Sequence, residues 1–515
     1  VSFARRHTGF LAVAAAGLGL RLALAYLVYP GQGLETDLGF FLSWTRTLTE
    51  VGPGAFYASA ASANYPPVYP AILWVVGLVA HPLAAITGSS LDHAIVDLLK
   101  VPSITADLLI ALLLYRAGSR WASQRVGVIA AALYLFIPVT WYDSALWGQV
   151  DAVGTLVMLG ALLLLVEGWP EAAAAVGALS LLVKPQDAIV LAVIAPVLVR
   201  RHLLRAGSGP VPVLGRRMAA VDRALGGLLR EQGPVRLGTS AVAAGLAFIL
   251  PLLPFDIIRF APASLSDVPV IGHVAGAISL VLSLGSQFSV LTVNAFNAWA
   301  LVGPSPLASI MGTTGGAWTP DALVVVAGLP AWLFSAILLA AATLLVLVGL
   351  LRRDGWVPIL GGFALLALAF YLIPTRVHER YLFPFFAPAA LLAATAAARV
   401  AGYGAVGILN GINIHAVLAA PLTVSFGGSG RFGGGGFGGG GFGGGFGGAG
   451  GTVSQISLPF ASFARSEVVI TAVALGQTAA FVGLLVLWVA TVIRPTIPWA
   501  TGEGAAHPAV PGPTP

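Results

Sequence analysis

Apolar runs, most of them close to 20 residues long, recur from one end of this chain to the other. Wound as an α-helix, about 20 residues span roughly 30 Å, the thickness of the hydrocarbon core of a bilayer. Lipid offers nothing to a bare peptide group, so runs of this length cross as helices. Only 9% of the 515 residues are charged and 58% are hydrophobic, whereas a soluble domain carries about a quarter charged residues. Such a chain cannot coat itself for water. The expected fold is all-α, a polytopic transmembrane helix bundle of about 12 spans, near 10–29, 66–86, 97–115, 126–142, 149–166, 171–199, 238–254, 323–350, 356–374, 381–398, 404–422 and 468–493.

Composition excludes several function classes. There is no cysteine, which removes disulfides, thiolate chemistry and cysteine-ligated metals. The net charge of +6 is no sign of nucleic-acid binding, because the arginines gather in short loops between apolar runs, as they do on the cytoplasmic side of membrane proteins. Arg5 and Arg6 precede a first run that resembles a signal peptide but lacks a small-residue cleavage site, so it reads as a retained span. Placing Arg5 and Arg6, the arginines of 200–236, and Arg352 with Arg353 inside leaves 30–65, 255–322 and 375–380 outside. The same count puts Arg116, Arg120 and Arg125 outside and "DSALWGQVD" (143–151) inside, unless 171–199 breaks at "KPQ" (184–186). The topology of 90–200 stays open at this stage.

The outer stretches carry their own expectations. "LGFFLSWTRTL" sets Phe41, Trp44 and Leu48 at helical spacing, which predicts a helix lying at the interface on aromatic anchors. Residues 286–303 suggest a second interfacial or re-entrant helix. Residues 1–400 form the expected catalytic membrane module. Residues 401–494 hold the last helices around a Gly/Phe-rich tract, 426–451, too rich in glycine to fold alone, and 495–515 read as a disordered tail.

Polar groups are expensive in a membrane, at about 2.5–3.5 kcal/mol for a charge at a helix centre, so polar islands mark function or boundaries. Glu35 and Asp37 open the outer helix; Asp37 serves either as its N-cap or as a reactive carboxylate. Asn64 and Tyr65 lead into a doubled proline that fixes an extended approach to the next run. Asp143, Trp147, Gln149 and Asp151 stand together between two runs, either as a polar loop without function or as a sugar site that combines a ring face with acceptors for hydroxyls. Lys184 interrupts an apolar stretch and either neutralises Asp187 or meets a lipid phosphate. Arg376, His378, Glu379 and Arg380 crowd five positions; they are either a snorkelling boundary with an Arg–Glu pair or a phosphate site with forked donors. No phosphate loop, dinucleotide fingerprint or metal-ligand spacing is present, so no metal and no cofactor is expected.

In order, "ETDLGFFLSW", "NYPP", "WGQVD", "KPQ" and "VHERYLFP" resemble the motifs of the GT-C superfamily, membrane glycosyltransferases that take sugars from polyprenyl-phosphate carriers. The resemblance spans roughly residues 10 to 395 and is nearest to bacterial and archaeal members. It implies an active site on the outer face and an aspartate in the first outer loop, by position Asp37, acting as general base. It implies that His378 and Arg380, with Arg376 and Lys184, hold the donor phosphate, and that Glu35, Asn64, Tyr65, Trp147, Gln149, Asp151 and Glu379 meet sugar or acceptor. Relatives often carry Asp where this chain has Asn64, which shifts weight to Asp37. The implied reaction is inverting, metal-independent transfer of a hexose to a glycolipid, polysaccharide or protein hydroxyl at a prokaryotic plasma membrane. A transporter or flippase, or a non-catalytic scaffold of the same fold, is the competing expectation.

Overall fold

The computed structural model describes residues 3–204, 233–285, 288–303, 305–306, 319–419 and 452–494. The Gly/Phe tract, the tail after Arg494 and most of the 200–236 arginine stretch lie outside the described residues. Among the described residues the chain is a helix bundle, with short two-stranded pairings besides. Helices Phe3–Leu22, Val68–Thr87, Val101–Trp121, Gln124–Phe136, Asp151–Val166, Val235–Ile249, Ala331–Arg352, Trp356–Leu372, Ala397–Leu418 and Glu467–Trp488 form where the apolar runs predict them. Ser90, Ser123 and Ser466 start their helices as caps, each accepting from a backbone N–H three residues on.

Among the described residues, seven helices are long and apolar enough to cross a membrane, or eight if Gln124–Phe136 and Pro138–Trp147, bent by 53°, count together. Other runs are realised as shorter helices, including Asp151–Val166, Trp356–Leu372 and Phe383–Ala393. The run 171–199 is interrupted: Pro170–Ser180 and Leu191–Leu198 flank a break at 181–184 and a tight turn over Pro185–Val190. There the Ser180 hydroxyl reaches the carbonyl of Asp187 at 3.1 Å.

The two ends of the bundle differ in charge. At one end Trp121 stacks on Trp356 at 5.9 Å and donates to Glu167, which also pairs with Arg120. Arg201 pairs with Asp354 at 2.6 Å and Arg352 donates to the carbonyl of Ile493. The basic loops thus collect together, and Arg120 lies with them rather than opposite. Residues 143–151 lie at the other end, beside Asp37. Both placements reverse the simple sequence count, and the break at 181–184 supplies the missing turn.

Three more expectations are corrected. The 66–86 run is not a simple crossing. Val68 N–H donates to Leu182 O, and Lys100 Nζ to Gln32 O, so the two helices between them leave and return to the same end. Phe41, Trp44 and Leu48 do not anchor in lipid. They are buried in the protein, where Glu35–Val51 packs against Val68–Thr87 with Thr45 and Thr49 close over Gly77. Helical spacing identifies an apolar face but not what covers it. Residues 288–297 are irregular rather than helical: Val293 and Asn294 bridge to His378, and the first helical turn is Ala298–Leu301.

Inside the bundle Arg21, wholly buried, pairs with Asp107 at 2.7 Å and donates to Thr140 and to the carbonyls of Gly17 and Leu135. Tyr134 completes Asp107. Full pairing is what makes such charges tolerable in an apolar interior. The network fixes the first helix against the bent pair that leads to Trp147.

Candidate active site

Asp37 stands at the third position of the Glu35–Val51 helix. Leu34 occupies the cap position and has no side chain that can cap, so the capping role expected as one alternative is not what Asp37 does. Its carboxylate points across to residues 147–149, reached by a turn that ends on Gly148 in the left-handed region (φ +85). Trp147 Nε1 donates to Asp37 Oδ2 at 2.8 Å, and Gln149 Nε2 donates to the same oxygen. Asp37 Oδ1 accepts no donor from the described residues. One carboxylate oxygen is therefore held and the other is open.

From Gln149 the network continues inward. Lys184 Nζ lies 3.4 Å from Gln149 Oε1 and 2.9 Å and 3.0 Å from the two oxygens of Asp151. Lys184 and Asp151 are both nearly inaccessible. The expected alternative, that Lys184 neutralises Asp187, is corrected: Lys184 pairs with Asp151, and Asp187 Oδ2 has no hydrogen-bond partner among the described residues. Arg380 approaches the same Asp151 at 3.8 Å and pairs with Glu379 at 2.7 Å. Its guanidinium lies 5.4 Å from the centre of the Trp147 ring, whose own N–H holds Asp37. Lys184 lies 5.6 Å over the Tyr65 ring. Tyr65 in turn packs with Phe41, Trp44 and Tyr69. The fixed Tyr-Pro-Pro corner holds this aromatic wall, because Val68 N–H closes on Leu182 O.

Asp37, Tyr65, Trp147, Gln149, Asp151, Lys184, Glu379 and Arg380 thus form one cluster at the end opposite the basic loops. Burial raises the Glu379 carboxyl above its usual range, against the pull of Arg380. Burial also raises the Tyr65 phenol, partly offset by Lys184 and Arg380. His378 is held well below the usual imidazole range by burial and then by the charges of Arg380 and Lys184. Its ring sits between Phe288 and Tyr381. Neutral His378 can donate one hydrogen bond but brings no charge.

Three expected members stand apart. Arg376, in the left-handed region at φ +67, turns away to pair with Asp321 at 2.6 Å and to reach Gly285 O. Glu35 is exposed, and among the described residues only its backbone N–H is engaged. Half-buried Asn64 makes none of the cluster's hydrogen bonds. Asp143, which the sequence sets with Trp147, Gln149 and Asp151, is fully buried and adjoins the cluster with neither oxygen hydrogen-bonded among the described residues. Conversely, Asn410, whose Nδ2 donates to Glu379 O, adjoins the cluster without having been singled out; it is one polar residue in an apolar run and gave no signal. Among the described residues, no three His, Asp or Glu side chains are grouped to hold a metal ion.

The arrangement combines an open carboxylate oxygen, two cations held by carboxylates, and aromatic faces between them. No protein-family profile matches the chain, and no characterised protein matches it by sequence. Among solved structures it is similar to ArnT from Cupriavidus metallidurans bound to undecaprenyl phosphate, at 14% identity and a TM-score of 0.40, over 96% of this chain and 79% of that one. It is also similar to the Archaeoglobus fulgidus oligosaccharyltransferase in its apo form, at 13% identity and a TM-score of 0.38, over 92% of this chain and 56% of that one. The chain therefore spans little more than half the length of the oligosaccharyltransferase.

Proposed function

We propose that the protein is an integral-membrane glycosyltransferase that moves a hexose from a polyprenyl-phosphate donor to an acceptor hydroxyl, with inversion. The observation that carries this reading is that one indole holds both groups: the Trp147 N–H donates to Asp37 while the Arg380 guanidinium lies over the ring. Asp37 Oδ1 takes the proton of the acceptor hydroxyl. The acceptor oxygen attacks the anomeric carbon, and the bond from that carbon to the phosphate oxygen breaks on the opposite face. Polyprenyl phosphate leaves with the bonding electron pair. A single displacement of this kind inverts the anomeric centre.

Trp147 and Gln149 hold Asp37 Oδ2 and so aim Oδ1. A well-placed base contributes about 10²–10⁴ in rate. Arg380 and Lys184 lie where the departing phosphate needs charge, and in a low-dielectric site such fixed charges act strongly. Asp151 and Glu379 hold both cations in place before donor binds. Tyr65 and Trp147 offer ring faces to a sugar. His378 adds a neutral donor near the same phosphate. The gathering of the basic loops at the far end supports, under the positive-inside rule, a cluster that faces outward from a plasma membrane. The isoprenoid tail of the donor then lies in lipid alongside, and a glycolipid, polysaccharide or protein hydroxyl approaches from outside.

The test is transfer itself. Membranes carrying the protein are given radiolabelled polyprenyl-phosphate hexoses of defined anomeric configuration, and the product linkage is determined. Label transferred in the opposite configuration supports the reading; retained configuration, or no transfer with any hexose donor and acceptor class, contradicts it.

A further inference from the structure

The helix that carries Asp37 is started by a segment from the far end of the chain. Residues 454–455 pair in parallel with Gln32 and Gly33. Ser454 N–H donates to Gly31 O at 3.3 Å, and Ile456 N–H to Gly33 O at 2.9 Å. On the other edge, buried Lys100 donates to Gln32 O at 2.6 Å. The short stretch leading into the helix is thereby held on both sides.

The Gln455 side chain closes the arrangement. Its Oε1 accepts from Glu35 N–H at 3.1 Å, the first N–H of the helix, 420 positions away in the chain. Its Nε2 donates to Leu418 O at 3.0 Å and to Ile456 O at 3.1 Å. With the amide nitrogen committed to two carbonyls, the amide oxygen has one way to face. The first N–H groups of any helix lack partners inside it, and a polar side chain just before them normally supplies one. Leu34 cannot, and Gln455 stands in for it. Asp37 lies two residues further on, so the seating of this first turn decides where its open oxygen points.

We infer that Gln455 is a positioning residue for the Asp37 carboxylate, acting through the Glu35 N–H. The inference rests on the proposed role of Asp37 as base. It gives the segment after the Gly/Phe tract a part in catalysis without contact to substrate.

The experiment compares full-length wild type with Gln455→Ala, and with Gln455→Met as a variant that keeps the side-chain volume if Gln455→Ala does not fold. Ser454→Ala is the control, since the exposed Ser454 contributes only backbone here. Two quantities are read: amide hydrogen exchange over residues 33–40, and kcat and KM for transfer from a polyprenyl-phosphate hexose. Exchange is expected to speed up severalfold, and kcat to fall about tenfold or more, because a misplacement near 1 Å can lower a rate by up to about 10². KM for the donor is expected to stay within about twofold, since Lys184 and Arg380 are not bonded to this segment. A folded Gln455 variant with unchanged exchange overturns the inference alone, as does faster exchange with unchanged kcat. An inactive wild type overturns the functional reading, and exchange over 33–40 still separates that failure from loss of the cap.

Discussion

The indole N–H of Trp147 and the carboxylate of Asp37, 110 positions apart, meet at 2.8 Å. Because Gln149 joins at the same oxygen, the carboxylate is gripped on one side and left open on the other. The Arg380 guanidinium lies over the ring of the same indole, which makes Trp147 the spacer between base and cation. That spacing is the core of the mechanistic account.

Gly148 sets the spacer. It sits at φ +85, and a Cβ there would come 2.7 Å from Leu38 Cδ2. Alanine in the left-handed region costs about 1–2 kcal/mol, and the collision adds to it. Gly148→Ala is expected to lower the thermal midpoint by a few degrees and to reduce kcat by at least tenfold, as Trp147 and Gln149 shift from Asp37. Unfolding in detergent and initial rates check both.

Lys184 and Asp151 should behave as one unit. Removing a single partner of a buried ion pair costs about 3–5 kcal/mol, because the other charge is stranded, whereas replacing both with apolar side chains is far milder. Lys184→Met and Asp151→Leu are each expected to destabilise strongly, and the double variant by less than the sum. Thermal or denaturant unfolding of all four proteins gives the coupling.

Arg376 and Arg380 separate structure from donor binding. Arg376→Ala leaves buried Asp321 without its ion pair and is expected to lower stability by about 1–3 kcal/mol with donor KM within about twofold. Arg380→Ala is expected to raise donor KM or lower kcat by at least tenfold. Equal kinetic effects at the two positions would contradict the placement of the phosphate at Arg380.

His378 gives a pH signature. Burial, and then Arg380 and Lys184, keep it neutral in the folded protein well below the usual imidazole range. An unfolded chain takes up that proton below about pH 6.5. The unfolded state therefore binds more protons at low pH, and stability from this group is present above that value and lost as pH falls. Relative to His378→Gln, wild type is expected to lose more of its unfolding midpoint between pH 7 and pH 5.

Much of this was legible because polar islands stand out in a chain so apolar. Trp147, Gln149, Asp151, Lys184 and Arg380 each interrupt or end a hydrophobic run, and the cost of such groups in lipid makes them informative one at a time. What sequence could not supply was direction. Arg376 and Arg380 look alike in "TRVHER", yet the left-handed backbone at Arg376 sends it to Asp321. Phe41 and Trp44 have the spacing of interfacial anchors, but their neighbours Tyr65 and Tyr69 come from a separate stretch and bury them. The stretch 286–303 has the composition of an interfacial helix, but Val293 and Asn294 bridge to His378, a distant residue that sequence does not bring to it. Arg21 and Asp107 were missed for a different reason. Each is a lone charge in a long apolar run, and only their meeting across 86 positions gives them meaning.

The most direct measurement is initial-rate sugar transfer from a labelled polyprenyl-phosphate hexose by wild type and by Asp37→Asn, at equal amounts of folded protein. Asparagine keeps the size of the side chain and an oxygen that can face Trp147 and Gln149, but it cannot accept the hydroxyl proton. The account predicts that Asp37→Asn loses at least about 10² in kcat while donor KM changes little. Transfer by Asp37→Asn at the wild-type rate would contradict it.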